Sequence, residues 1–174
     1  MPKKISISLS QSSIQAAIDE LNKYKDDFID KNELFVRRLA EIGIPVIDRN
    51  ILSAAGDSEK EHNTYIEIYS SGYFLQARLV CEGKDLLFIE FGSGIFYNGG
   101  ESEVGSSPHP KGKEKGYTIG SYGKGKGKQK TWGYYDDGGD LVLSHGTEAT
   151  MPVYEAGQAI IIQIRTIAKE VFGR

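Results

Sequence analysis

Cysteine is almost absent from this chain: Cys81 is the only one in 174 residues. That excludes an intramolecular disulfide and a cysteine-rich structural zinc site, and makes synthesis in a reducing cytosol the simplest expectation. Long apolar runs are missing too. None exceeds four residues, as in Ala159–Ile162, against the roughly 20 needed to cross a bilayer. The first residues are charged and lack an apolar stretch, so neither a secretory signal nor a membrane partner is expected. Histidine is scarce. His62, His109 and His145 are isolated, with no pair at the i, i+4 spacing of a helical metal site and none near a thiol. Nothing resembles a nucleophile elbow, although spacing alone leaves a dispersed Ser–His–Asp triad open.

What remains is a composition of 39 % apolar and 26 % charged residues, which fits neither a disordered nor a membrane chain. The length suits one domain over residues 1–174. Charge and glycine are unevenly placed. Fourteen of the 21 glycines lie between Gly92 and Gly139, and seven lysines lie between Lys111 and Lys130 against one acid, Glu114. That window is net +6, which leaves −9 on the rest of a chain whose total is −3. A basic, glycine-rich segment is set into an acidic body.

Ile5, Ile7 and Leu9 alternate with polar residues and predict a short strand. Ser10, Ser12 or Ser13 is placed to cap a helix, along which Ile14, Leu21, Phe28, Phe35 and Ile42 recur every seven residues. Gly43 and Pro45 are a stop signal, giving about 30 residues and about 45 Å. A break near Asp30–Glu33 competes with one continuous helix. The heptad spacing reads as packing onto a sheet rather than a coiled coil. Thr64–Tyr69, Tyr73–Cys81 and the almost wholly apolar Leu86–Phe91 predict strands of an antiparallel meander. Thr131–Tyr135 and Leu141–Ser144 predict a hairpin. A last helix is expected with Thr150 as cap, Pro152 in its first turn, and Ala156, Ile160, Ile164, Ile167 and Val171 on its inner face. That face is wide enough to be shared between its own sheet and a neighbouring subunit. The expected fold class is α+β: an antiparallel sheet of about five strands, covered by a long N-terminal helix and a C-terminal helix. A Gly/Lys-rich insertion over residues 92–130 completes it. A loop of that length is functional or disordered, and glycine makes it costly to order, so partner subunits are its expected support.

Three chemical motifs can be weighed. Gly120, Gly125 and Lys126 meet the spacing of a phosphate loop. Gly127 stands where a Ser or Thr should hold magnesium, however, and no apolar strand leads in, so nucleotide binding is set aside. Glu82 and Lys84 at a strand end, with Asp48 upstream, faintly resemble a magnesium nuclease core, but Glu82–Asp85 is adequately explained as a polar turn. The alternation of Lys124, Lys126, Lys128 and Lys130 with glycine suits a solvated loop, an arm on a phosphate backbone, or an arm docked on the acidic body of an identical chain. Tyr117, Tyr122 and Trp132 offer aromatic anchors.

The order of Phe88-Ile-Glu-Phe-Gly-Ser-Gly94, His109-Pro110, Trp132-Gly-Tyr-Tyr135, His145-Gly146 and Met151-Pro-Val-Tyr154 resembles the neck proteins of long-tailed bacteriophages and prophages: the head–tail connector and tail-completion family. That family's pattern runs E-[FY]-G-T-G, N-P-H-P, a glycine-rich stretch, W-x-Y, then G-x-x-[AS]-x-P-[FM] before the last helix. The resemblance covers nearly the whole chain. Ser93 stands in place of Thr, Ser106 and Ser107 precede Pro108 where Asn is usual, and Val153-Tyr154 replace Phe-Met or Phe-Leu, which leaves the tier of the neck open.

The resemblance implies a virion protein, made in the bacterial cytoplasm, with no catalysis, no cofactor and no metal. It implies a homo-oligomeric ring, commonly sixfold, whose partners are other neck and tail-tube proteins, with DNA passing through the lumen. On this reading Lys111, Lys113, Lys115, Lys124, Lys126, Lys128 and Lys130 form an inter-subunit or DNA-facing arm. Glu90, Gly92 and Gly94 form the turn that launches it, and His109, Trp132, Tyr134 and Tyr135 anchor it. A nucleic-acid-binding module using the same lysines is the alternative, and a magnesium nuclease a weaker one.

Overall fold

The computed structural model describes residues 4–71, 74–94, 109–111 and 131–173. The fold is α+β, with a long N-terminal helix, small antiparallel sheets and a C-terminal helix.

Helix α1 spans Gln11–Ser53, about 64 Å at 1.5 Å per residue. Ser10 is its N-cap, its hydroxyl accepting the Ser13 N–H at 3.3 Å. The helix does not break at Asp30–Glu33. Ion pairs Lys31–Asp27 and Arg37–Glu33, each one turn apart, straddle that stretch, and the Asn32 amide donates to the Phe28 carbonyl instead of capping a new helix.

Nor does α1 stop at Gly43 and Pro45. Ala40, Gly43, Ile47, Ile51 and Ala54 continue one buried stripe, and burying it outweighs the backbone hydrogen bond that Pro45 cannot make. Gly43 is not a terminator but a point of close approach. A Cβ there would lie 2.3 Å from Leu79 Cδ2 and 3.3 Å from Ile160 Cδ1. The expected strand at Ile5–Leu9 does not form. That segment leads into α1, with the Ser8 N–H donating to the Ser13 hydroxyl.

Strands β1 (Asn63–Ser71) and β2 (Phe74–Glu82) pair antiparallel, from Asn63 opposite Glu82 to Ser71 opposite Phe74. Leu75, Ala77 and Leu79 are half-buried while Gln76 and Arg78 are exposed, the period-2 pattern of a ribbon covered on one face. Leu86–Phe91, expected as a strand, is a short helix, α2. Four apolar residues in a row, Leu86–Ile89, have no periodicity to tell helix from strand, and here Ile89, Glu90 and Phe91 are all buried. Gly92 ends α2 at φ 78°, a conformation that favours glycine.

Strand β3 (Ser93–Gly94) pairs with β6 (Gly146–Thr147), and β4 (Trp132–Tyr135) pairs with β5 (Leu141–Ser144). The described residues therefore form three two-stranded ladders, not one sheet of about five strands. One expected strand became α2 and another the lead-in to α1, so the hairpins have no shared central strand.

Helix α3 (Pro152–Phe172) runs antiparallel to α1. Arg38 pairs with Glu170 at 2.6 Å. The Phe172 ring lies 6.4 Å from Phe28 and 5.5 Å from Phe35, and the Asn50 amide donates to the Thr150 carbonyl. The core is Ile47, Ile51, Ala54, Ile89 and Ala156, flanked by Val46, Leu79, Cys81 and Leu86. No helix among the described residues is long and apolar enough to cross a membrane.

Candidate functional site

Helix α3 begins without a cap of its own. Thr150, expected in that role, instead donates its hydroxyl to the Asn50 carbonyl and its N–H to the Ile89 carbonyl. The residue at the cap position, Met151, is left-handed at φ 53° and supplies no side-chain hydrogen bond. The orphan N–H groups of the first turn are met from another helix. Glu90 of α2, 8 % exposed, accepts the Val153 N–H at 2.8 Å and the Tyr154 N–H at 3.0 Å. A carboxylate there also faces the positive end of the α3 dipole.

His109 completes the cluster. Its Nε2 donates to Glu90 at 2.9 Å, and its Nδ1 accepts the Lys111 N–H at 3.0 Å. The second bond places the ring proton on Nε2. The Phe91 and Tyr154 rings pack on the imidazole at centroid distances of 4.5 and 5.4 Å. Glu90 and His109, 19 residues apart, thus tie three stretches of chain together, and Lys111 leaves this cluster exposed.

The other anticipated residues lie elsewhere. Gly92 closes α2, and Gly94 pairs with Gly146. Trp132, Tyr134 and Tyr135 are in β4, opposite Ser144, Val142 and Leu141. Lys113, Lys115, Lys124, Lys126, Lys128 and Lys130 lie outside the described residues, as do Tyr117, Tyr122 and the Gly120–Lys126 motif.

Asp48, Glu82 and Lys84 each have a separate partner. Asp48 accepts from His62 and from the Thr64 hydroxyl, Glu82 accepts from the Tyr65 hydroxyl, and Lys84 pairs with Glu59 at 3.3 Å. Among the described residues, no group of three or more His, Cys, Asp or Glu side chains is placed to hold a metal ion. Burial pushes the Cys81 thiol up, so it is protonated at neutral pH.

Two concavities flank the cluster. One, of about 590 Å³, lies between the β4–β5 hairpin and the body. Asp57, Glu59, Asp85, Asp136 and Asp137 line it, with Lys84 the one basic side chain among the described lining residues. The second, of about 560 Å³, is apolar, with Leu86, Leu87, Phe91, Val153, Gly157 and Ile161 in its wall and Lys111 beside them.

The junction around Gly56, Ser93 and Thr147 gave no sequence signal. Gly56 bridges Thr147 at φ 116°, where a Cβ would meet the Gly146 carbonyl oxygen at 2.2 Å. The Thr147 N–H donates to the Ser93 hydroxyl. The His145 N–H donates to Asp57 at 2.6 Å, and this bond is the main cause holding that carboxyl below its ordinary value of 3.8. Glu90 did carry a signal: a lone carboxylate in an apolar run needs a buried partner. Compared with family models, curated proteins and solved structures, the chain matches none.

Proposed function

We propose that this chain is a ring-forming subunit of a phage neck, joining or completing the tail, and that it works by assembly rather than catalysis. One observation carries this reading beyond the resemblance in the motifs. Over its first five turns α1 leaves Ile14, Ile18, Leu21, Tyr24 and Phe28 about half exposed, with Ala17 buried among them, and the Phe172 ring near the end of α3 reaches this stripe at Phe28. A helix of about 17 residues has little stability without an apolar partner, so the stripe calls for a neighbouring molecule. The charge asymmetry supports the same reading. The acidic cleft beside the hairpin and the lysine-rich sequence from Lys111 to Lys130 carry opposite charge, as the unlike halves of a head-to-tail contact do. A ring of about six copies, seated against neck and tail-tube proteins around passing DNA, is the proposed assembly, and the virion neck its proposed place.

Native mass spectrometry and electron microscopy of the purified protein, alone and with tail tubes, test it. Rings that seat on tube ends are expected. A strictly monomeric protein that joins no particle overturns the proposal. A DNA affinity falling steeply with salt and with substitution of Lys124, Lys126, Lys128 and Lys130, in a protein that never forms rings, would establish the nucleic-acid module instead.

A further inference from the structure

Strands β4 and β5 form a hairpin that no third strand joins among the described residues, and a two-stranded ribbon is marginal in water unless a face is covered. Its two faces differ. Cross-strand partners share a face, so Tyr134, Val142 and Ser144 look into the acidic cleft, which Tyr135 at the end of β4 also borders, while Gly133, Leu143 and Leu141 form the opposite face. On that outer face Leu143 is 63 % and Leu141 59 % exposed. The two leucines close over Gly133, where a Cβ would come within 3.0 Å of Leu141 Cδ1 and 3.5 Å of Leu143 Cδ2. The result is one continuous apolar patch. At its tip stand Asp136, Asp137 and Asp140, and residues 131–145 contain no Lys or Arg.

The matching surface is the apolar concavity between α2 and α3. Leu86, Leu87, Val153 and Ile161 wall it, and among the described residues nothing stands within 4 Å of the Cβ position of Gly157. Its rim is basic. Lys111 lines it, and Arg165, exposed, lies one turn beyond Ile161 on the same side of α3.

We infer that the outer face of the β4–β5 hairpin of one copy docks into the α2–α3 pocket of the next, with its aspartate tip against Lys111 and Arg165. The inference rests on the ring reading and specifies its interface. Apolar meets apolar, three acids meet two bases, and both halves are carried by every copy. The contact is head-to-tail, the kind that closes into a ring when its rotation divides a full turn.

The test uses two full-length variants. Leu141→Asp with Leu143→Asp spoils the hairpin face at exposed positions, and Gly157→Trp fills the pocket at a site with room for a side chain. Circular dichroism should match wild type in both. Each variant alone should run as a 19.2 kDa monomer. An equimolar mixture should give heterodimers, because one intact hairpin and one intact pocket remain. Rings of wild-type mass from either variant, or a mixture that stays monomeric, overturn this interface while leaving the ring reading in place. Rings that persist but no longer seat on tail tubes assign the hairpin to a different partner and likewise overturn it. A monomeric wild-type protein removes the ring reading and this inference together.

Discussion

The two ends of α1 obey the same periodicity and meet opposite fates. From Ala40 to Ala54 the stripe is sealed: Ile47 and Ile51 are 1 % and 0 % exposed, held by Leu79 from β2 and Ala156 from α3. From Ile14 to Phe28 the large side chains of an equally regular stripe stand about half exposed, with only the small Ala17 among them buried. An apolar stripe therefore reports that a helix face needs covering, not whether the cover lies in the same chain. Small residues are denser at the sealed end: Ala40, Gly43 and Ala54 let neighbouring elements approach closely, as the 2.3 Å Cβ distance at Gly43 shows, whereas at the open end Ala17 alone is buried among larger, half-exposed side chains.

The sealed end should be the most sensitive. Ile51→Ala empties a fully enclosed site and should cost about 2–5 kcal/mol of unfolding free energy, read from urea melts of the monomer. A loss below 1 kcal/mol would mean that this end is less tightly packed than its burial indicates.

Glu90→Gln comes next. It keeps the shape but replaces an acceptor-only group that receives three N–H bonds with one whose NH₂ must face a donor. One buried N–H of His109, Val153 or Tyr154 then loses its acceptor, at about 1–3 kcal/mol. Melts should show the loss, and amide exchange should localise it to the first turn of α3.

These two sites also differ in how far the sequence disclosed them. The inner face of α3 was legible because Ala156, Ile160 and Ile167 keep a helical spacing. The β1–β2 and β4–β5 pairs were legible because alternation and turn residues are local signals. What misled was local punctuation overridden by distant packing: Gly43 and Pro45 read as a stop, yet Ile47 and Ile51 beyond them bury enough to carry the helix through. Leu86–Phe91 misled because an apolar run interrupted only by Glu90 has no period. Of the candidate site, Glu90, Gly92 and His109 were singled out as residues. Their meeting at the start of α3 was not, because it depends on the tertiary placement of α2, which the sequence reading had made a strand. Gly56 and Thr147 were missed for a related reason, since nothing local in either segment reports the other.

A smaller effect is expected where the hairpin joins the body. Asp57 has a folded-state pKa below its ordinary value of 3.8, chiefly because it accepts the His145 N–H. Its contribution is therefore present in full above the unfolded value and lost as pH falls through the folded one. The stability gap between wild type and Asp57→Asn should be constant near neutrality and close on acidification below about pH 4. A gap that widens in acid would contradict the sign of the shift.

The smallest effect on the fold should come from the open end of α1, and it bears hardest on the comparison. Leu21→Ser removes a side chain that is 53 % exposed in the free subunit. Away from caps and core, such a change is worth within about 0.5 kcal/mol of monomer stability. If a neighbouring copy covers the stripe, the same substitution leaves a polar group and a void in an apolar contact, and assembly should weaken by far more than folding does. The pair of measurements is decisive because its two halves are independent: melts of the dilute monomer read the first and sedimentation across a concentration series the second. A variant that unfolds like wild type but assembles poorly locates the missing cover in another molecule. One that loses folding stability as Ile51→Ala does would place the cover within the chain itself, and the two ends of the helix would then differ only in degree.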